Sequence, residues 1–133
     1  MCFIVMSKKQ IATAAAPAAL GPYSQGIVAG GFFFASGQVP IDPATGELAS
    51  ETVEAQARQV FANLEQVLAA AGCGFADVLK TTVFLTDLAN FAEVNSIYAE
   101  YFVEPFPARS CVQIAALPKG SLLEVELIAK IPE

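Results

Sequence analysis

The run Leu122-Leu-Glu-Val-Glu-Leu-Ile-Ala129 alternates apolar and acidic side chains near the end of the chain. Such alternation is typical of a β-strand with one buried face, because successive side chains point to opposite sides. The apolar side consists of Leu123, Val125, Leu127 and Ala129. Glu124 and Glu126 lie on the other side, so this strand is predicted to present two carboxylates away from its apolar face.

A second alternating run, residues 109–116, comes just before it, with Arg109 and Cys111 on one face. The loop at residues 117–121 favours a hairpin between the two runs. If their faces match, Arg109, Cys111 and Glu124 come within a few residues of one another. Spacing alone leaves two interpretations open. One is a cross-strand ion pair, which stabilises a surface only weakly, and the other is a small site for an anionic ligand.

Outside these two runs, the periodicity of the apolar residues predicts four further strands and two helices. The predicted strands are residues 10–13, 24–29, 32–36 and 79–86, and Gly30-Gly31 suits a tight turn. The predicted helices are residues 51–71 and 91–102. Their predicted boundary signals are Ser50 as the first N-cap, Gly72 after the first helix, and Asn90 with Glu93 as a capping box for the second.

The element order β-β-β-α-β-α-β-β predicts an α+β fold: a two-layer sandwich of a mixed sheet with both helices on one face. Residues 1–133 are expected to form a single domain. The other sheet face then has no cover within the chain. Apolar side chains are spread over several strands, and some are expected on that bare face, where partner subunits would cover them: Ile27, Phe33, Val83, Ile114 and Leu127.

Charge and composition exclude several classes of function. Thirteen acidic residues against seven basic ones give a net charge of −6, which argues against binding to nucleic acid or an anionic membrane. Three cysteines without a CxxC pair, and no histidine, speak against a zinc site and a disulfide framework. These features predict a cytoplasmic protein without a metal or organic cofactor.

The first residues carry no recognisable targeting signal. The apolar run Cys2–Met6 is too short to span a membrane and has no basic segment before it. Met6 is an alternative translation start. We therefore expect residues 1–7 to be an extra or disordered N-terminal segment.

Six short motifs, in this order, resemble the RidA/YjgF family of reactive-intermediate deaminases, also labelled L-PSP endoribonucleases. They are Gly21-Pro-Tyr-Ser-Gln-Gly26, Ser36-Gly-Gln-Val-Pro40, Lys80-Thr-Thr-Val-Phe-Leu85, Phe106-Pro-Ala-Arg-Ser-Cys111, Ala116-Leu-Pro-Lys-Gly120 and Glu124-Val-Glu126. The resemblance runs from about residue 8 to residue 131. It implies a chorismate-mutase-like fold, a homotrimer whose sheets pack into a central barrel, and sites at the subunit interfaces.

The resemblance implies hydrolysis of 2-aminoacrylate, 2-aminocrotonate and their imino acids to 2-oxo acids and ammonia. Arg109 would grip the substrate carboxylate, because its planar fork fits two parallel hydrogen bonds. Glu124 would direct the attacking water. The resemblance also assigns the backbone carbonyl of Cys111 a contact to the substrate nitrogen. The thiol itself is not expected to act as a nucleophile, because the chain has no histidine to activate it.

The resemblance also implies a substrate-binding role for four other residues. Tyr23 would wall the pocket and offer its hydroxyl, and a backbone N–H at Ser36 or Gly37 would help to hold the carboxylate. Asn95 matches a pocket residue, although a solvated helix position explains it equally well. Two other functions stay open. An endoribonuclease would follow the older label, whereas a 2-oxo-acid binding or chaperone-like protein would not need Glu124.

Overall fold

A computed structural model describes residues 7–133, and the expectation for the N-terminal segment falls on residues outside this range except for Ser7. The strands are β1 (Lys9–Ile11), β2 (Gly26–Ala29), β3 (Phe32–Gln38), β4 (Val78–Leu85), β5 (Ala108–Gln113) and β6 (Leu123–Lys130). The helices are α1 (Val53–Ala70) and α2 (Phe91–Tyr101). The predicted element order is confirmed.

The six strands form one mixed sheet in the order β1-β2-β3-β6-β4-β5. β4 and β5 are parallel, and every other neighbouring pair is antiparallel. The predicted hairpin between β5 and β6 is wrong, because β4 lies between them. The physical reason is the crossover through α2, which returns the chain parallel to β4. The segment after β5 then carries the chain past β4 to its other side.

The predicted ends of most helices and strands lie within two or three residues of the observed ends. Gly30 and Gly31 have φ of 60° and 82°, as a two-residue hairpin turn requires. Helix α1 begins two residues later than predicted, because Thr52 Oγ1, not Ser50, accepts from the backbone N–H of Ala55. The Asn90 side chain makes no capping hydrogen bond, so the predicted capping box at α2 is wrong.

Both helices pack on one face of the sheet, as predicted, and this face forms the core. Phe33, Val83 and Leu127 lie there, at most 2% exposed. Of the five side chains considered for the bare face, these three are therefore buried against the helices. Ile27 does lie on the uncovered face, where its register partner is Phe34. Other apolar side chains of this open face are Phe32, Phe84, Val112 and Ile128.

Candidate functional site

Arg109 lies in the edge strand β5 on the helix-covered side of the sheet, where its Cα partner is Thr81. The guanidinium carbon lies 4.7 Å from the centre of the Tyr98 ring and 5.5 Å from that of Phe91. One terminal nitrogen donates to Asn95 Oδ1 at 2.6 Å. Among residues 7–133, no carboxylate forms a salt bridge with Arg109. Its charge therefore remains available to a ligand.

Helix α2 supplies the three side chains that surround this guanidinium. Phe91, Asn95 and Tyr98 are spaced four and three residues apart, so they lie on one helix face. The Tyr98 hydroxyl hydrogen-bonds Thr81 Oγ1 at 2.8 Å, and burial raises the pKa of Tyr98. Because both hydroxyls are buried, this hydrogen bond fixes the ring beneath the guanidinium.

A surface groove of about 410 Å³ opens beside Arg109. Its walls are Asn95, Tyr98, Ala99, Phe106, Pro107 and Arg109. Pro107 lies in the motif Phe106-Pro-Ala-Arg-Ser-Cys111, and Phe106 is 54% exposed. This groove is a half-open cationic recess, the kind of surface that can accept a carboxylate.

Glu124 lies in β6 on the open face, at the edge of a cavity of about 590 Å³. The cavity is walled by Pro17, Ala18, Leu20, Tyr23, Ser36, Gly37, Val39, Ile41, Pro43, Gly46, Pro118, Lys119 and Glu124. Burial is the main cause that raises the pKa of the Glu124 carboxyl, and repulsion from Glu126 adds to it. A carboxyl with a raised pKa is a better proton acceptor than an ordinary one, provided that it is ionised at the working pH.

Gly37 allows β3 to approach the carboxylate of Glu124. A Cβ at this position would lie 2.6 Å from both Cδ and Oε2 of Glu124, so any larger residue would displace the carboxylate. Gly37 lies in a register shift of β3 between Ala35 and Gln38. The shift interrupts the regular ladder beside the carboxylate.

Two further predicted residues surround this cavity. Tyr23 is 56% exposed and forms part of its wall. Ser36 directs its hydroxyl to the carbonyl oxygen of Ser24 at 2.6 Å, and its backbone N–H donates to Gln25 O at 3.0 Å. Since both donors of Ser36 are engaged, a backbone contact from this part of β3 to a ligand would come from Gly37.

Cys111 points to the same sheet face as Arg109 and packs against the core. Burial raises the pKa of its thiol, and the nearby Arg109 opposes that shift only in part. A thiol with a raised pKa is a poor nucleophile at neutral pH. These features favour a packing role for the Cys111 side chain over a nucleophilic one.

The predicted residues form two groups, not one. Arg109, Cys111 and Asn95 lie on the helix-covered side, whereas Glu124 lies on the open face with Tyr23 and the Ser36-Gly37 part of β3. The cluster expected from a β5–β6 hairpin therefore does not form within one chain. The sheet itself separates the guanidinium from the carboxylate.

Sequence reasoning missed two residues of these groups. Tyr98 was not among the predicted site residues, although its spacing from Asn95 and Phe91 could have indicated a shared site. Lys119 lies in the wall of the Glu124 cavity, and its ammonium donates to Gly46 O at 2.7 Å and lies 3.6 Å from Glu47 Oε2. Its place in the motif Ala116-Leu-Pro-Lys-Gly120 was the available signal.

Comparison with known proteins identifies the class to which this fold and site belong. Residues 13–131 match the family model described as Endoribonuclease L-PSP. The chain belongs to this family, the same one as the RidA/YjgF family that the sequence motifs resemble.

Three similar proteins illustrate the family. A RutC family protein of Synechocystis is 53% identical over 96% of this chain and 99% of its own length. The human protein named 2-iminobutanoate/2-iminopropanoate deaminase is 48% identical over 92% of this chain and 89% of its own length. The crystal structure of the Rid family protein YyfA from Yersinia pestis superposes with a TM-score of 0.92 at 49% identity, covering 94% of this chain and 100% of that one.

Two structural features are absent from the residues that the structure describes. Within residues 7–133, no helix has the length and apolar character needed to cross a membrane. Over the same residues, no cluster of three or more histidine, cysteine, aspartate or glutamate side chains could hold a metal ion. The predicted cytoplasmic location stays a prediction.

Proposed function

We propose that this protein hydrolyses reactive 2-imino acids, the tautomers of enamines such as 2-aminoacrylate and 2-aminocrotonate. Water adds across the C=N bond, and the products are a 2-oxo acid and ammonia. The kinship with a named deaminase supports the reaction class. The observation that carries the proposal is Arg109, held by Asn95 and Tyr98 with no salt-bridge partner among the described residues, beside an open groove.

In the proposed reaction, Arg109 binds the substrate carboxylate through two parallel hydrogen bonds. The backbone carbonyl of Cys111 accepts a hydrogen bond from the substrate nitrogen. Glu124, as carboxylate, accepts a proton from water while the water oxygen bonds to C2. The electron pair of the C=N bond moves to nitrogen, which takes up a proton from solvent to give a carbinolamine.

The carbinolamine then collapses. Glu124 returns its proton to the amino nitrogen, the C–N bond breaks, and ammonia leaves with the electron pair of that bond. The hydroxyl oxygen releases its proton to solvent and forms the C=O bond of the 2-oxo acid. Because 2-imino acids also hydrolyse unaided, positioning and one acid–base group are sufficient for catalysis. The scheme requires neither a metal nor an organic cofactor.

The active unit in this proposal is a homotrimer with sites at the subunit interfaces. Arg109 and Glu124 of one chain lie on opposite sides of the sheet, so a complete site needs the Arg109 group of one copy and the Glu124 group of another. The open face also leaves Phe34 44% exposed beside Ile27 and Ile128. Closed cyclic packing of this face would remove its apolar surface from water.

A coupled assay tests the reaction. Threonine dehydratase with threonine releases 2-aminocrotonate, and 2-oxobutanoate formation is followed with and without this protein. We expect the protein to shorten the lifetime of the intermediate, and Arg109→Ala to lose the effect. Equal rates with and without the wild-type protein would refute the proposal.

The family description favours a second candidate, an endoribonuclease. The net charge of −6 and the lack of histidine argue against it, because RNA cleavage usually needs a basic surface and an acid–base pair or a metal. Incubation of RNA with the wild-type protein and with Glu124→Gln would test for this activity. Cleavage by the wild type that disappears in the variant would establish this activity, whereas equal cleavage would indicate a contaminant.

A binding or chaperone-like protein remains the third alternative, and variants distinguish it from the enzyme. A 2-oxo-acid binding protein requires Arg109 but not Glu124. A chaperone that recognises unfolded chains requires neither. Imine hydrolysis that depends on both residues would exclude these two alternatives.

A further inference from the structure

Two buried carboxamides bind the backbone of irregular segments that wall the Glu124 cavity. Gln25 is 4% exposed and Asn63 is 1% exposed. No buried side-chain nitrogen or oxygen in residues 7–133 lacks a hydrogen-bond partner, so both amides are fully engaged. Each one therefore fixes the segment that it binds.

Gln25 acts on the segment that follows β1. Its Oε1 accepts from the N–H of Thr13 at 2.6 Å, and its Nε2 donates to the carbonyl oxygens of Thr13 at 3.0 Å, Ala16 at 3.3 Å and Pro17 at 2.7 Å. Pairing both backbone groups of Thr13 reproduces what a neighbouring strand would do. The side chain thus extends the β1–β2 ladder beyond its last pair, Ile11 with Gly26.

The segment held in this way, residues 13–20, is called the strap below. It has no helix or strand of its own, yet its members Pro17, Ala18 and Leu20 line the cavity around Glu124. Such a segment lacks ladder hydrogen bonds, so its position depends on the contacts that other elements provide. For the strap, the side chain of Gln25 alone provides four hydrogen bonds.

Asn63 holds another part of the same wall. From helix α1, its Nδ2 donates to the carbonyl oxygens of Val39 at 3.1 Å and Ile41 at 3.0 Å. Both residues line the cavity. Its Oδ1 accepts from Gln59 Nε2 at 2.9 Å, which orients the amide.

We propose that Gln25 and Asn63 are positioning residues that hold the wall of the Glu124 cavity and thereby set which substrate side chains it accepts. The inference rests on the proposed function. In this proposal Arg109 and Glu124 fix the carboxylate and the reacting carbon, and the substrate side chain occupies the apolar remainder of the Glu124 cavity. A pre-organised wall binds such a group without the cost of ordering a loop.

The test uses Gln25→Glu and Asn63→Asp, which keep the size of the side chain but replace its donor with an acceptor. Val67→Ala is the matched control, because Val67 is fully buried in α1 and does not line the cavity. Hydrogen exchange of strap peptides reports on the wall. Calorimetry reports the affinity for 2-oxobutanoate, with a short side chain, and for 4-methyl-2-oxopentanoate, with a branched one.

For Gln25→Glu we expect strap exchange at least about tenfold faster and β6 exchange unchanged, because the lost hydrogen bonds serve only the strap. We expect both amide variants to weaken the binding of 4-methyl-2-oxopentanoate about tenfold. The binding of 2-oxobutanoate should weaken less than about threefold. Val67→Ala, which lowers the melting temperature through a core cavity, should change neither affinity. If Gln25→Glu does not fold, Gln25→Asn, one methylene shorter, takes its place.

The proposal would be overturned if hydrogen exchange in the strap were unchanged. It would also be overturned if the amide variants and Val67→Ala weakened the binding of both ligands equally. A wild-type protein that binds neither 2-oxo acid would count against the proposed function instead. Exchange then still decides whether Gln25 holds the strap: selective acceleration supports that role, and uniform exchange refutes it.

Discussion

Arg109 and Glu124 lie on opposite faces of one sheet, with β4 between their strands. Arg109 is in register with Thr81 of β4, whereas Glu124 is in register with Phe84. The two side chains therefore cannot meet within a subunit, and their separation makes assembly a requirement of the proposed reaction.

Arg109→Ala is expected to reduce acceleration of imine hydrolysis at least about a hundredfold, since two charge-assisted hydrogen bonds of roughly 1.5 kcal/mol or more each are lost. Arg109→Lys should lose most of the activity as well, because a point charge does not reproduce the fork. The threonine dehydratase assay measures both. Circular dichroism checks the fold, and wild-type rates from a folded variant would contradict the role of Arg109.

Cys111→Ala and Cys111→Ser are expected to keep activity within about threefold of the wild type, because burial raises the pKa of the thiol and leaves it a weak nucleophile. The backbone carbonyl, which the proposal uses, is retained in both variants. Mass spectrometry during turnover should find no covalent adduct. An adduct, or complete loss of activity with an intact fold, would assign the sulfur a chemical role.

The pH dependence is expected to report on Glu124. Its pKa is raised by burial and then by Glu126, and the ionised form is the active base, so activity should rise with pH through that raised pKa. Glu126→Gln removes the repulsion and should move the acid limb to lower pH. The folded state favours protonated Glu124, so this group contributes stability at low pH that is lost as pH rises through the folded pKa. An acid limb that does not respond to Glu126→Gln would speak against Glu124 as the base.

Gly37→Ala is expected to abolish most activity while the protein stays folded. The new Cβ would lie 2.6 Å from Cδ of Glu124, and a flexible carboxylate can move away at little cost in stability. Gly74→Ala is the matched control, because nothing lies within 4 Å of a Cβ built there. The rates of imine hydrolysis and the melting temperatures of the two variants test this prediction. Full activity of Gly37→Ala would mean that the carboxylate needs no fixed position.

Gel filtration with light scattering is expected to give about three times the chain mass of 13.9 kDa. Phe34→Glu places a charge on the open face and should produce an inactive monomer, because a buried unpaired carboxylate opposes assembly. Ala69→Glu, on the exposed side of α1, should leave both mass and activity unchanged. An active monomer from Phe34→Glu would overturn the shared site.

Several properties could be predicted from the sequence because they depend on local patterns. Helix α1 and strand β6 follow from periodicity, and the turn at Gly30-Gly31 follows from the need for positive φ. Family membership followed from six short motifs in order. The two chemical groups, a guanidinium and a carboxylate, were also identified from residue type and motif.

Only the tertiary structure decided which strands pair and which side of the sheet each group occupies. Alternation shows that Glu124 and Val125 point in opposite directions, but a period of two does not tell which neighbour a strand will take. The crossover through α2 placed β5 beyond β4, and so Arg109 came to face the helices while Glu124 faced away from them. The anchoring of the strap by Gln25 was likewise invisible in the sequence, because a buried amide finds its partners only when distant segments have packed around it.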